Sequence, residues 1–503
     1  MEKAALGSRA SSSSANPTPS GVPLRVIHSL SGSIAWRALM NVIWIVSDSF
    51  RRDHIGAYGN PHIRTPALDA LAAESVKFDA HYAAGFPTMP TRADHQTGRW
   101  TMSFMGWEPL PRGVTTLAEI LARNGLHTAA SVDTPYYLRD GMNYDRGFQT
   151  FFMNTGQDTL WSLIPEPGYH NEALDIRDRW RSESDRNAPK TFMTAMQWLE
   201  KHYKEDFFLY VDTWDPHEPW DAPSYYTELY MPDHDGELVL PVYGNWHDVP
   251  GYTEAQLRKG HAAYCGEITM VDTWVGYLLK AVENMGLAEK TVVIFTSDHG
   301  FYFGEHGGLF GKMSSDKYPD GTLRPYDEPG SQWAYSPLYE EIVHLPLLMR
   351  VPGISPAAYG GLSSAIDVMP TVLDLLGMDI PDFVQGRSLA PAMSDATQSG
   401  RDFVISSIPF ANPGDAVQSV DNFLRDLQDP PVTTVTAGQW SLLYSPEPGV
   451  SRLYNLASDP KQLHNMIDRH VDEAREIHRL LVEFMRENEV PDRLLKPRLE
   501  LRI

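Results

Sequence analysis

Cysteine is nearly absent: Cys265 is the single one in 503 residues. That excludes an intramolecular disulfide and a Cys-based zinc site. Long apolar runs are missing too. No stretch approaches ~20 uninterrupted apolar residues, so no membrane span is expected. There is no Asn-x-Ser/Thr sequon with a permitted middle residue. Basic residues are in deficit, with 42 Lys plus Arg against 65 Asp plus Glu and a formal charge of -23. Such a surface repels phosphate backbones and anionic lipid, so neither nucleic acid nor membrane is expected as a partner. An anionic substrate would need a local cationic island, either a metal or a few Arg and Lys side chains. The absence of disulfides fits a reducing compartment, and a cytoplasmic protein is expected.

Structure signals are also missing from residues 1–39. A serine run, Ser11–Ser14, precedes Pro17, Pro19 and Pro23. Arg25, His28 and Arg37 interrupt the apolar residues between Val22 and Leu39, which leaves no signal-peptide core. A disordered tail is expected over 1–39. Met40 is an alternative start, because the first strong strand follows it directly.

What is present is a series of short apolar runs that end in acids. Val42–Val46 is followed by Asp48. Phe207–Val211 is followed by Asp212, Asp215 and His217. Val292–Phe295 is followed by Asp298, His299 and Gly300. Leu345–Met349 is a weaker fourth run, and His127–Val132 reads as another. Their length and β-branched content suit buried parallel strands. Helical patterns lie between them. One opens at Thr65-Pro66 with Leu68, Leu71 and Val76 on one face. A second has a Thr116/Glu119 capping box and a stop at Gly125. A long one covers Glu254–Asn284. The alternation predicts an α/β fold, a sheet covered by helices on both faces. Ligands of such sheets bind beyond the carboxyl ends of the strands. Three tips bearing Asp or His can therefore converge, and carboxylates with imidazole suit a divalent cation. A large domain is expected over 40–400. A smaller C-terminal α+β subdomain is expected over 401–503, with strands at Val432–Ala437 and Trp440–Tyr444 and a helix at Asp472–Arg486.

The segment Gly85–Gly98 is the most distinctive. Pro87 and Pro90 stiffen a turn, and a short helix is expected to start near Pro90 and end near Gly98. Thr88 then sits at a helix start, where backbone N–H groups favour negative charge. Arg92 lies one turn inside and can grip an anionic oxygen. A hydroxyl beside an Arg at such a position is a plausible nucleophile toward a tetrahedral anionic ester.

From residue 40 onward the chain resembles the sulfatase family of the alkaline phosphatase superfamily. The resemblance is carried by Asn41–Asp48, Asp53–Gly59, Thr65–Ala72 and Thr88-x-Pro90-x-Arg92 with Thr97-Gly98. It continues through Ser297–Gly300, Gly304–Gly307, Lys312, Leu338–Glu341, Val351–Gly353, Asp367–Thr371 and Leu453–Leu456. It implies an alkaline phosphatase-like fold, with a large mixed, mostly parallel sheet. It implies that Asp48, Asp298 and His299 bind one divalent metal ion (manganese, zinc or calcium), with Thr88 as nucleophile and further ligand. Arg92 would stabilise Thr88 and the transferred group. Lys312 and His217 would contact the anionic group and the leaving oxygen.

Four departures qualify this. Thr88 stands where sulfatases carry a Cys or Ser that becomes formylglycine, and Thr cannot give that aldehyde. Ser49 replaces the second Asp of the opening pair. A Lys-x-His is missing around Val132–Pro135. His299 replaces the usual Asn, which shifts metal preference away from calcium. The last two features resemble phosphonate monoester hydrolases. The expected activity is hydrolysis of a sulfate ester, or of a phosphate or phosphonate ester, through Thr88 without formylglycine. The expected substrate is a small anionic ester, and a homo-oligomer is allowed for. The rival readings are a non-catalytic anion- or partner-binding pseudoenzyme and a phospho-group transferase. The aromatic cluster Trp214, Trp220, Tyr225, Tyr226 and Tyr230 could wall a substrate or simply pack. The segment Met313–Trp333 reads equally as a lid or a surface loop.

Overall fold

The computed structural model describes residues 41–134, 138, 141–154, 180–315, 317–325, 328, 333–335, 337–410 and 432–503. The tail expected over 1–39 lies outside them. The central sheet has eight strands. In chain order they are β1 (Asn41–Ser47), β2 (Val76–Phe78), β3 (His127–Val132), β4 (Thr150–Met153), β5 (Phe207–Thr213), β6 (Thr291–Ser297), β7 (Leu347–Arg350) and β8 (Ala357–Tyr359). Their spatial order is β8-β2-β7-β6-β1-β5-β3-β4. The run from β6 to β4 is parallel throughout, whereas β7 is antiparallel to both neighbours. The sheet is thus mixed and mostly parallel, as expected.

β1 lies in the middle and shows why its residues are apolar throughout. Val42, Trp44 and Val46 enter one core, and Ile43 and Ile45 enter the other. Burying each such side chain contributes about 1.5–3 kcal/mol. The first core takes in Met89 and Ala93 of α2 (Thr88–Thr97), Leu117 and Leu121 of α3 (Leu117–Arg123), and Val372 of a helix at Val368–Leu375. The second takes in Leu68 of α1 (Pro66–Ala73), Phe192 of a helix at Asn187–His202, and Ile268 of the long helix Glu254–Asn284. Capping boxes start two of these helices, Thr116 with Glu119 and Thr253 with Gln256. Each satisfies N–H groups that the first turn leaves open.

Three local expectations need correction. Val76 does not extend the face of α1, since the helix ends at Ala73 and Val76 opens β2. The helix after Pro87 starts at Thr88, two residues earlier than expected. The Leu345–Met349 run is divided at Pro346: His344–Leu345 pairs with His81–Tyr82, and only Leu347–Arg350 joins the central sheet.

A four-stranded antiparallel sheet follows, formed by Phe403–Ser407, Thr433–Ala437, Trp440–Tyr444 and Arg452–Asn455. Val435, Leu442 and Leu453 pack on Leu481 and Phe484 of the helix Val471–Glu487. Its first strand touches the segment that leads into α2: Phe86 N donates to Ser407 O at 3.0 Å, and Ser407 N donates to Ala84 O at 2.9 Å. That backbone clamp sets the entry angle of Thr88.

Candidate active site

The seven side chains singled out from sequence gather at the carboxyl ends of β1, β5 and β6 and the start of α2. Asp48, Asp298 and His299 each offer a ligand atom, and these atoms lie within 4.8 Å of one another. His299 Nε2 is 3.6 Å from Asp298 Oδ2 and 3.9 Å from Asp48 Oδ1. Thr88 Oγ1 is 3.3 Å from the same Nε2. His299 Nδ1 lies 2.9 Å from Gly300 O. A carbonyl only accepts, so Nδ1 carries the proton and Nε2 presents its lone pair to the cluster.

Arg92 is fully buried and divides its donors among three acids. Nε and Nη2 bond Asp212 at 2.8 and 2.7 Å, and Nη1 bonds Asp298 at 2.6 Å and Asp48 at 3.1 Å. Nη1 also reaches Thr88 O at 3.2 Å. The guanidinium therefore orders the carboxylates around Thr88.

Asp212 was not foreseen as part of the site. It is the sixth residue of β5, in register with Val46 and Val132 on the flanking strands. Tyr210 and Thr134 hydroxyls also donate to it, at 2.8 and 3.1 Å. The sequence signal was its place at an apolar strand's end, which it shared with Asp215. Ser49 is a second addition. Its backbone is left-handed, with φ 59°. That turn lets Ser49 N donate to Asp298 Oδ1 at 3.0 Å and its hydroxyl to Asp48 Oδ1 at 2.8 Å.

The electrostatics follow from burial of two acids together. Burial and then Asp298 push the Asp48 carboxyl well above its ordinary value. Burial also opposes ionisation of Asp298, but the Arg92 guanidinium and the Ser49 N–H outweigh it and hold that group ionised. Burial holds His299 down to about 3, so it is a neutral imidazole. Two carboxyl oxygens and an imidazole nitrogen, with the Asp48 proton held only by crowding and displaceable by a positive ion, are a donor set that fits a divalent cation.

Lys312 and His217 form a second pair beside this cluster, with Nζ 2.7 Å from Nε2. His217 Nδ1 lies 2.8 Å from Glu218 O, and Trp214 stacks on the ring at 4.0 Å. Burial, reinforced by the Lys312 charge, holds His217 well below its ordinary value. Lys312 also acts on Asp48 and His299. Of the aromatic cluster, Trp214 thus borders the site. Trp220 packs into the core against Phe301 and Phe310, and Tyr225 is exposed. The described part of Met313–Trp333 is tied to the 243–248 loop, through Ser315 N to Tyr243 O and Leu323 N to Asp248 O.

A sequence model of the sulfatase family matches residues 40–378. The chain belongs to the sulfatase family. This sulfatase-family chain is 26% identical over 450 residues to the ulvan-active sulfatase of Formosa agariphila, covering 85% of this chain and 77% of that one. It is 27% identical to the multifunctional alkaline phosphatase superfamily protein PehA of Trinickia caryophylli, over 71% of this chain and 78% of the relative. Among solved structures it resembles the phosphonate monoester hydrolase of Agrobacterium radiobacter. The TM-score is 0.67 at 21% identity, over 89% of this chain and 96% of that one. The alkaline phosphatase-like fold is thereby shared, and the chain is a sulfatase-family ester hydrolase.

Proposed function

We propose that this hydrolase cleaves a small anionic sulfate, phosphate or phosphonate ester through Thr88, without formylglycine. The observation that carries the reading is the Thr88 hydroxyl, 3.3 Å from the lone-pair nitrogen of His299 and beside two buried carboxyls. Asp48, Asp298 and His299 would hold one divalent cation, with Thr88 Oγ1 as a further ligand. When bound, that cation would make the Thr88 hydroxyl more acidic and draw charge from the ester oxygens.

Thr88 Oγ1 bonds to sulfur or phosphorus as the bond to the leaving oxygen breaks on the opposite side. With the His299 lone pair committed as a ligand, the hydroxyl proton is released to solvent. Lys312 and His217 face the departing oxygen and return a proton to it. Arg92 holds Asp48, Asp298 and the Thr88 carbonyl in place throughout. Water then attacks the Thr88 ester, releases the anion and restores the hydroxyl. A formylglycine hydrate could expel sulfate by collapsing to the aldehyde, but a threonine ester has no such exit. Phosphorus esters therefore suit Thr88 better, because water can attack phosphorus. We place the reaction in the cytoplasm, where a lone cysteine stays reduced.

The test is intact-protein mass after a slow aryl phosphonate or aryl sulfate substrate with manganese or zinc. The expected result is an adduct on the parent and none on Thr88→Ala, whose turnover falls by roughly 10⁴-fold or more. An equal adduct on both proteins would rule out Thr88 as the nucleophile.

A further inference from the structure

A second group of metal-ligating side chains lies away from Asp48 and Asp298. It consists of His54, His261 and Cys265, whose ligand atoms all fall within 4.8 Å of one another. The geometry points to a zinc-class divalent cation held by His54 Nε2, His261 Nε2 and Cys265 Sγ, with a fourth position open to the neighbouring cavity.

The two imidazoles meet Nε2 to Nε2 at 2.9 Å; His261 Nε2 donates there to His54 Nε2, and a cation would take that proton's place as His261 shifts to its Nδ1–H tautomer. Cys265 Sγ is 3.7 Å from His261 Nε2. A tetrahedral ion with Zn–N of ~2.0–2.1 Å and Zn–S of ~2.3 Å would separate the nitrogens by about 3.3 Å and nitrogen from sulfur by about 3.5 Å. The His54–His261 and His261–Cys265 separations are each within about half an ångström of that arrangement, and His54 Nε2 and Cys265 Sγ lie within 4.8 Å of each other. His261 and Cys265 are four residues apart on the long helix, so they share one face. His54 comes from the short turn Arg52–His54 after β1.

The surroundings orient His54 as a ligand and keep His261 neutral. His54 Nδ1 lies 2.8 Å from Asp53 Oδ1. Asp53 is itself paired with Arg51 through both oxygens, at 2.8 and 2.6 Å, so it is an ionised acceptor. Nδ1 of His54 therefore carries the proton and Nε2 the lone pair, as in the carboxylate–histidine–metal arrangement. Burial, with His54 and Arg51, holds His261 down to about 3, which keeps it neutral. Burial pushes the Cys265 thiol up to about 12, so without a cation it is an inert S–H. Metal binding breaks that S–H bond, forms the metal–sulfur bond and releases one proton to the buffer.

A thiolate with two imidazoles selects zinc, cobalt or copper over magnesium and calcium. The group lines a cavity of about 850 Å³, whose lining includes none of Asp48, Thr88, Arg92, His217, Asp298, His299 or Lys312. The fourth position thus opens onto space separate from the ester site. A cysteine-based site was excluded on the cysteine count alone. Two histidines brought together by the fold supply the ligands that the count missed.

The full-length protein titrated with cobalt tests this. Cobalt bound at Asp48, Asp298 and His299 has no sulfur ligand, so a thiolate-to-cobalt charge-transfer band reports Cys265 alone. The expected result is a saturable band that zinc abolishes, absent in Cys265→Ser and lost in His261→Gln. No band at saturating cobalt would overturn the proposal, as would a band that survives in both His54→Gln and His261→Gln.

Discussion

Arg92 shows how much one buried residue organises. Its guanidinium is shared by Asp212, Asp48 and Asp298, all fully buried. Removing one partner of a buried pair leaves an uncompensated charge, which costs about 3–5 kcal/mol. Asp212→Ala should therefore lose stability on that scale in urea unfolding, although Asp212 touches none of the proposed ligand atoms directly. A loss under about 1 kcal/mol would show that Arg92 re-pairs freely. At His217, burial and the Lys312 charge both disfavour the proton. Lys312→Met removes the second influence, so the imidazole should titrate at higher pH. As a proton donor His217 governs the alkaline limb of kcat/KM, which should move upward in that variant, along with a fall in kcat; an unmoved limb would separate His217 from the leaving-group proton. Asp48, Thr88, Asp298 and His299 were legible because each sits in a recognisable run at a strand end or helix start. Asp212 was not, because its role depends on an arginine 120 positions away. Nothing in its own neighbourhood distinguished it from Asp215.

At the level of elements, the loop after β6 is fixed by close approach. A Cβ on Gly300 would come within 1.8 Å of Glu341 O, a backbone atom that cannot swing aside. Gly300→Ala should thus cost about 1–3 kcal/mol or more by overpacking, seen as a lowered melting temperature. It should also weaken turnover, because His299 Nδ1 is anchored on Gly300 O. Wild-type stability in this variant would mean that the Glu341 segment can retreat. Element type was largely readable from period and caps, and the long helix matched its expected bounds of Glu254–Asn284. Direction was not. An apolar run such as Leu347–Met349 buries equally well either way, and the antiparallel pairing of β7 with β6 and β2 leaves no mark in the run itself.

Across the whole molecule, buried titratable groups set the response to acid. His81 and His95 are both held down to about 3, chiefly by burial. Both ring nitrogens of His95 lack hydrogen-bond partners among the described residues. Each histidine stays neutral in the fold while the unfolded chain takes up a proton below about 6.5. Their contribution is full above that pH and is lost as pH falls toward 3, by about 1.4 kcal/mol per pH unit for each. Asp94 has the opposite sign: burial raises it to about 7, so its contribution is present in acid and fades as pH rises toward neutrality. Comparing His95→Gln with the parent in urea at pH 7 and pH 4.5 isolates the histidine, and the gap between them should narrow in acid. A constant gap would mean that His95 is protonated within the fold. The left-handed backbone at Ser49 has a further consequence. Aspartate and asparagine occupy that conformation more readily than most side chains. Ser49→Asp would therefore install a third carboxylate with little strain, restoring the acid pair usual in sulfatases and favouring hard cations such as calcium and its luminescent stand-in terbium. Terbium luminescence, excited through nearby aromatic rings, would reveal such a change in a single spectrum.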